Sequence, residues 1–419
     1  MLELSPTGRC EAGDESDPGP EEGAERTSAC ATRVRHFVGP RAKELAILCG
    51  PSSGWSDPLR QAEAAYQALA ARLAAEGASF LELTEETLFV RDIRRALPRV
   101  LEARGRVLAA LGQSASAPPP AYIGQAPLAG AAGFAIAACA VVPRDREGWS
   151  VRNVRSASAC SCEGCARSGA RVVQLGGDVL LQTANLYGRG GDAYEQARDA
   201  FRVAERLLER CGMGFRDVVR TWIHLRDIDR DYGALNRARR EFFGERGVTQ
   251  RPASTGVQGA PFPAAHDVSL CLHAVQSARP LRVVAISSPL LNEAWSYGAD
   301  FSRGLRLEDG NKVTLHLSGT ASIDEAGRTV HEGNFGAQAG RMLDNVGSLL
   351  AAQGASFEDL ASAVTYLKDP ADAAVLREIC RSRGFDGFPW ATVEARLCRP
   401  TLLCETEAVA LLPSTTRGA

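Results

Sequence analysis

Three times along the chain, an amphipathic stretch rich in Ala, Leu and Arg stops at a glycine, and a run of β-branched and aromatic residues then closes on an aspartate. The glycines open Gly77-Ala-Ser-Phe80, Gly212-Met-Gly-Phe215 and Gly354-Ala-Ser-Phe357, and the aspartates, each fifteen residues further on, are Asp92, Asp227 and Asp369. The runs before them read Thr87-Leu-Phe-Val-Arg-Asp92, Thr221-Trp-Ile-His-Leu-Arg-Asp227 and Thr365-Tyr-Leu-Lys-Asp369, the pattern of a half-buried strand. Each unit finishes in an apolar run ending Ala-Val, at Ala140-Val141, Ala274-Val275 and Ala408-Val409. The predicted order in each is strands, helix, strand, helix, strand. That order favours a small α+β sandwich with two helices over one face of a mixed sheet. Three such units in one chain predict a trimer fused covalently, so the protein is expected as a monomeric pseudo-trimer or a dimer of it.

The pattern divides the chain. Residues 1–35 hold the acidic, apolar-poor Gly13-Asp-Glu-Ser-Asp-Pro-Gly-Pro-Glu-Glu-Gly23 and read as a disordered leader. A first, degenerate repeat covers 36–143, and Ser114-Ala-Ser-Ala-Pro-Pro-Pro120 within it is a loop because consecutive prolines cannot donate to a ladder. A polar linker with a cysteine cluster covers 144–170, the second repeat 171–278 and the third 281–413.

Composition narrows the function. The 419 residues are 45% hydrophobic, enough for three cores, and the formal net charge of −2 gives no broad basic field for a phosphate backbone, so nucleic acid is not an expected partner. The longest apolar run, Gly130 to Pro143, is too short to span a membrane, and the N-terminus lacks a charged start followed by an apolar core. A soluble cytoplasmic protein is the expectation. Of the twelve cysteines, Cys49, Cys139 and Cys271 sit inside apolar strands and read as reduced, buried thiols.

The third repeat carries Leu317-Ser-Gly-Thr-Ala-Ser-Ile323, Gly333-Asn-Phe-Gly-Ala-Gln338, Leu343-Asp-Asn-Val346, Gly354-Ala-Ser-Phe357, Val393-Glu-Ala-Arg-Leu-Cys-Arg-Pro400 and Glu405-Thr-Glu407. These resemble the Rid family of reactive-intermediate deaminases, also called YjgF-like. The family has a chorismate mutase-like fold and forms homotrimers with sites between subunits. The second repeat resembles it through Thr221 to Asp227, Tyr232-Gly-Ala-Leu-Asn236 and Pro252-Ala-Ser-Thr-Gly256, and the first mainly through element order. A closer resemblance is to the chorismatases of the 3-hydroxybenzoate synthase type. It rests on Tyr297-Gly-Ala-Asp-Phe-Ser-Arg303, on Ser318 to Ser322, and on a cysteine seven residues before a glutamate, as are Cys398 and Glu405. Chorismatases usually have two such domains; this chain has three.

Residue chemistry adds to the resemblance. If Pro400-Thr401 forms a two-residue turn, Arg396 lies opposite Glu405 and shares a strand face with Cys398. The plain alternative is a cross-strand ion pair beside a buried Cys. Aligning the closing strands on Ala-Val puts Ala137 and Cys271 where Glu405 stands, so only the third repeat offers a carboxylate there. The resemblance implies cleavage of the enolpyruvyl ether of chorismate, with Glu405 as general acid. Arg303, Arg396 and Arg399 are then candidate anchors for a small carboxylate substrate, one or two of them real, and Cys398 is a pocket wall that biases the product. Tyr297 and Ser318 are further binding candidates, and Trp390 is either an apolar wall or core. The alternatives are an imine deaminase and a non-catalytic small-molecule binder. Against the deaminase, Rid deaminases carry an arginine after the proline where this chain has Pro389-Trp390 and Pro252-Ala253. Cys160, Cys162 and Cys165 have metal-like spacing, with His266 or another cysteine as a further ligand, but free thiols or a local disulfide are the first reading. No nucleotide motif occurs and no cofactor is expected. His224 and His316 fall in strands and read as hydrogen-bonded structural residues.

Overall fold

A computed structural model describes residues 30–50, 57–128, 133–156 and 162–414. It holds three α+β units in tandem, each a mixed sheet with helices on one face. The first comprises β1 (Ala31–Val38), β2 (Ala42–Gly50), α1 (Pro58–Ala75), β3 (Leu83–Val90), α2 (Ile93–Ala110), β4 (Ala121–Ile123) and β5 (Phe134–Pro143), with strands in the order β1-β2-β5-β3-β4. The second comprises β6 (Trp149–Arg155), α3 (Glu163–Arg167), β7 (Gly169–Leu175), β8 (Asp178–Ala184), α4 (Ala193–Glu209), β9 (Val218–Leu225), α5 (Ile228–Glu245), β10 (Ala253–Gln258) and β11 (Val268–Ser277), ordered β10-β9-β11-β8-β7-β6. The third comprises β12 (Arg282–Ala285), β13 (Gly304–Glu308), β14 (Lys312–Ala321), α6 (Phe335–Ala351), β15 (Leu360–Leu367), α7 (Ala373–Ser382), β16 (Trp390–Glu394) and β17 (Cys404–Pro413), ordered β12-β13-β14-β17-β15-β16. The five strands of the first sheet match the order of five of the six strands in each of the others, with β5, β11 and β17 as the equivalent central strands.

The recurring residues have physical reasons. Gly77, Gly212 and Gly354 follow α1, α4 and α6 with φ of 71°, 76° and 71°, a left-handed conformation that closes the helix and that glycine adopts without strain. In each case the next residue's N–H returns to a carbonyl of the last turn, as from Ala78 to Leu73, Met213 to Leu208 and Ala355 to Leu350. Asp92 and Asp227 are N-caps of α2 and α5, accepting from the N–H groups of Arg95 and Arg230, while Asp369 caps the short 3-10 turn that leads into α7. Helix faces at three- and four-residue spacing, such as Ala62, Ala65, Tyr66, Leu69 and Leu73 in α1, are fully buried against their sheets.

Two boundaries differ from the sequence reading. β1 begins at Ala31, inside the segment assigned to the leader, where alternating half-exposed residues pair with β2; residues 1–29 lie outside the described ones. The segment 144–170 is not a plain linker, because β6 pairs with β7 along its whole length and extends the second sheet. Its polar composition fits an edge strand, which needs no second buried face.

The helix-free faces of the three sheets meet around a common cavity lined from all three, by Glu44, Glu85, Trp222, His273, Lys312 and His316 among others. Ion pairs stitch the repeats in a cycle: Arg41 to Asp178 joins first to second, Arg220 to Glu407 second to third, and Lys312 to Glu44 third to first.

Candidate active site

The cleft with the most chemistry lies between the second and third repeats. β17 runs between β14 and β15, and Glu405 is paired there with Ala321 and Tyr366. Side chains alternate along a strand, so Glu405 and Glu407 point together toward the second repeat. Glu407 is buried in an ion pair with Arg220 of β9 (2.7 Å) and accepts from Trp222 Nε1 (2.8 Å). Arg220 also donates to Thr255 Oγ1 (2.6 Å).

Glu405 is only 5% exposed. Burial, with the nearby Glu407 charge, pushes its carboxyl up to about 8, and Arg303, Arg220 and Arg399 pull partly in the other direction. The carboxyl is therefore protonated at neutral pH. Its position depends on Gly319: a Cβ there would meet Glu405 Oε1 at 1.9 Å and Thr255 Cγ2 at 3.3 Å. β14 carries an irregularity between Leu317 and Thr320 at this point, and Gly319 N–H donates to Thr255 Oγ1 across the repeats (3.1 Å).

The second repeat supplies the facing wall. Tyr232, Leu235 and Arg239 lie on one face of α5, and Ser254 and Gly256 lie on β10. The third repeat contributes Phe301, Arg303, Ile323, Cys398, Arg399 and Leu402 around Glu405. Arg303 is buried, its guanidinium held by the Asn292 carbonyl (2.7 Å) and Asn292 Oδ1 (3.1 Å) and placed over the Phe301 ring. Arg399 donates to the Gly327 carbonyl (2.6 Å). The Cys398 thiol accepts a hydrogen bond from Tyr232 of α5, and burial together with Glu405 raises it to about 12, so it stays a thiol. The cleft can thus present a neutral carboxylic acid, two arginines of the third repeat and one of the second, a phenol and a thiol to an anionic ligand.

Glu405, Cys398, Arg303 and Arg399 are brought together as the sequence reading grouped them. Arg396, Ser318 and Trp390 are not. Arg396 does not face Glu405: β16 runs parallel to β15, which lies between β16 and β17, so no hairpin exists and Arg396 is exposed beside Asp229 (3.0 Å). Ser318 is buried behind the cleft, donating to the Ser302 carbonyl and accepting from Ser254 N–H (2.8 Å), where it ties the two repeats together. Trp390 packs edge-on to Phe385 (5.4 Å) and donates to Thr365 Oγ1 (2.8 Å), away from the cleft. Tyr297 ends a 3-10 turn, Ala294–Tyr297, and its side chain lies outside the described residues. The residues missed are Tyr232, Arg239, Thr255 and Gly319. A glycine inside an apolar strand was a readable sign of close approach, whereas nothing in sequence assigned the others to the partner wall.

Cys162 and Cys165 meet His266, their three ligand atoms lying within 4.8 Å of one another; Cys160 lies outside the described residues. All ten described cysteines are thiols. The axial cavity is larger than the cleft but chemically quieter. Lys312 and Glu44 pair with each other there, and burial holds His273 and His316 neutral. His316 does not make the hydrogen bonds expected of it, since neither ring nitrogen has a partner among the described residues. No helix of the described residues is long and apolar enough to cross a membrane.

The model of the family described as Endoribonuclease L-PSP matches residues 168–276 and 297–412, more than half the chain. A 3-hydroxybenzoate synthase of Streptomyces hygroscopicus is 29% identical over 244 residues, covering 52% of this chain and 69% of that protein. The crystal structure of a chorismatase superposes with a TM-score of 0.52 at 19% identity, over 66% of this chain and 82% of that one, a likeness of fold.

Proposed function

Since the chain belongs to the Endoribonuclease L-PSP family, also called Rid/YjgF, and the cleft between its second and third repeats holds a protonated, buried glutamic acid beside arginines, we propose that it is a chorismatase-like enzyme. It would cleave the enolpyruvyl ether of chorismate or a related cyclic enol ether to pyruvate and a hydroxylated benzoate or cyclohexadiene acid. The relatives that carry this reading are the 3-hydroxybenzoate synthase and the chorismatase.

The observation that carries it is the burial of Glu405 in a cleft lined by arginines of two repeats. An enol ether is activated by a proton on its methylene carbon, which leaves an oxocarbenium at the adjacent carbon. A carboxylic acid held neutral at pH 7 by desolvation, and positioned by Gly319, supplies that proton. Water then adds to the oxocarbenium, its proton returns to the Glu405 carboxylate, and the hemiketal collapses with loss of pyruvate. That route consumes one water and gives the diol. The hydroxybenzoate forms with no net water, and in this reading Cys398, near the acid, biases the ring toward one outcome. Arg303 and Arg399 neutralise the substrate carboxylates from the third repeat and Arg239 from the second, with their own protein contacts fixing the guanidinium planes.

The test is incubation with chorismate while pyruvate and aromatic product are followed together. Wild type should release both. Glu405→Gln keeps shape and hydrogen bonding but loses the proton, so turnover should fall by roughly a hundredfold or more. Absence of pyruvate with ammonia release from an imino acid would favour the deaminase; binding without turnover of either would favour a non-catalytic binder.

A further inference from the structure

The second repeat holds a cluster that the cleft chemistry does not use. Cys162 opens the short helix α3 and Cys165 lies three residues on, inside its turn, with the Cys165 N–H donating to Cys162 Sγ (3.4 Å). The turn is pressed against the chain that leads to His266. A Cβ on Gly164 would meet Pro263 Cδ at 2.4 Å and the Phe262 carbonyl oxygen at 2.8 Å, so only glycine lets the Cys-x-x-Cys turn approach this closely. His266 is 104 positions away in sequence, and its Nε2 lies 3.2 Å from Cys162 Sγ. Its ring is fixed on two sides, stacked on Tyr187 at 4.5 Å and hydrogen-bonded to the Gly188 backbone, which leaves Nε2 turned to the sulfurs.

Two sulfurs of a Cys-x-x-Cys turn with a backbone N–H on one of them, and an imidazole oriented by its other nitrogen, form a ligand set of zinc type. Tetrahedral coordination with ordinary Zn–S and Zn–N lengths separates ligand atoms by about 3.5–3.8 Å, and all three ligand atoms already lie within 4.8 Å. We propose that Cys162, Cys165 and His266 bind one zinc ion through two thiolates and Nε2, with a water at the fourth position. Binding displaces one proton from each thiol to solvent, and no oxidant or reductant is involved. The ion cross-links α3 to the 259–267 segment. That segment packs on the first repeat, where Gly124 pairs with Ala260 and Tyr122 meets Phe262 at 6.3 Å. Its role is therefore structural, fastening the second repeat's contact with the first.

The full chain, purified without chelator and passed through gel filtration, should carry about one zinc by elemental analysis. After exchange with cobalt(II) it should show the intense visible bands of a tetrahedral site and a sulfur-to-metal charge-transfer band. Cys165→Ser and His266→Asn should retain less than about one tenth of the metal and Cys211→Ser all of it, with circular dichroism reporting whether each variant is folded. Should either site variant fail to fold, wild type is still decisive: zinc should protect Cys162 and Cys165 from alkylation, mapped by peptide mass, and leave Cys211 reactive. The proposal is overturned by wild type that takes up neither zinc nor cobalt, by folded variants that bind as well as wild type, by a lack of thiol protection, or by a Cys162–Cys165 disulfide in freshly isolated protein.

Discussion

The cleft between the second and third repeats and its counterpart between the first and second are built on the same strands, yet one is open and the other filled. Where the third repeat has Glu405 on β17, the second has Cys271 on β11, buried and raised to about 12. Beside Glu405 stands Gly319, with room for a carboxyl and little else. Beside Cys271 stands Asn185, which exchanges hydrogen bonds with the Tyr122 backbone (3.0 and 2.9 Å) and accompanies Tyr187 into the interface. Tyr122, Tyr187 and Asn185 are each at most 2% exposed. A shared scaffold therefore supports two outcomes: side chains too small to fill the interface leave a cleft, and large ones convert it into packing. At the third interface the equivalent position is Ala137.

The largest effect on this contrast should come from Arg220→Met. It leaves Glu407 buried without its cation between the two repeats, and breaking a buried pair by removing one partner costs about 3–5 kcal/mol. Denaturant unfolding should show that loss, and a change within error would mean the pair does not hold the open cleft. Next comes Gly319→Ala, whose methyl must displace Glu405; pyruvate release should fall at least about tenfold, while stability drops by roughly 1–3 kcal/mol from overpacking. Unchanged turnover would show that the acid's placement is not set by this glycine.

Glu405→Gln should also report on stability. The native carboxyl is raised from 4.5 to about 8, so the folded state holds a proton the unfolded state has lost, and wild-type stability falls as pH rises from about 4.5 to 8. The glutamine variant should match wild type near pH 4 and exceed it near pH 8 by an amount on the order of a few kcal/mol; parallel pH profiles would contradict the assignment. The smallest effect belongs to Cys398→Ala, which removes a thiol from the wall and not the acid. Product ratio or rate should shift a few-fold with binding retained, and complete inactivation would give the thiol a larger role than the geometry supports.

Much of this was legible because repetition marks what the fold requires. Gly77, Gly212 and Gly354 recur because a helix must end in the left-handed region, and Asp92, Asp227 and Asp369 because an N-terminus needs a cap. Glu405 stood out as the carboxylate at a position where the other two aligned strands have Ala137 and Cys271, and Cys398 came with it through spacing. The hairpin argument for Arg396 failed because spacing on one chain does not reveal that β15 inserts between β16 and β17. Tyr232 and Arg239 were invisible for a related reason: they reach the acid only when a second repeat docks, and docking is a property of faces, not of local periodicity. The polar edge strand β6 was mistaken for a linker because one exposed edge and one exposed face look like no structure at all.

The central claim is that Glu405 works as an acid in an enol-ether cleavage. The most direct measurement is the pH dependence of pyruvate release from chorismate by wild type and by Glu405→Gln. The acid is competent only while protonated, so wild-type turnover should hold below about pH 8 and decline above it, with the variant lower by roughly a hundredfold or more across the acidic limb. Wild type that releases no pyruvate at any pH, or a variant whose rate and pH profile coincide with those of wild type, would contradict the account.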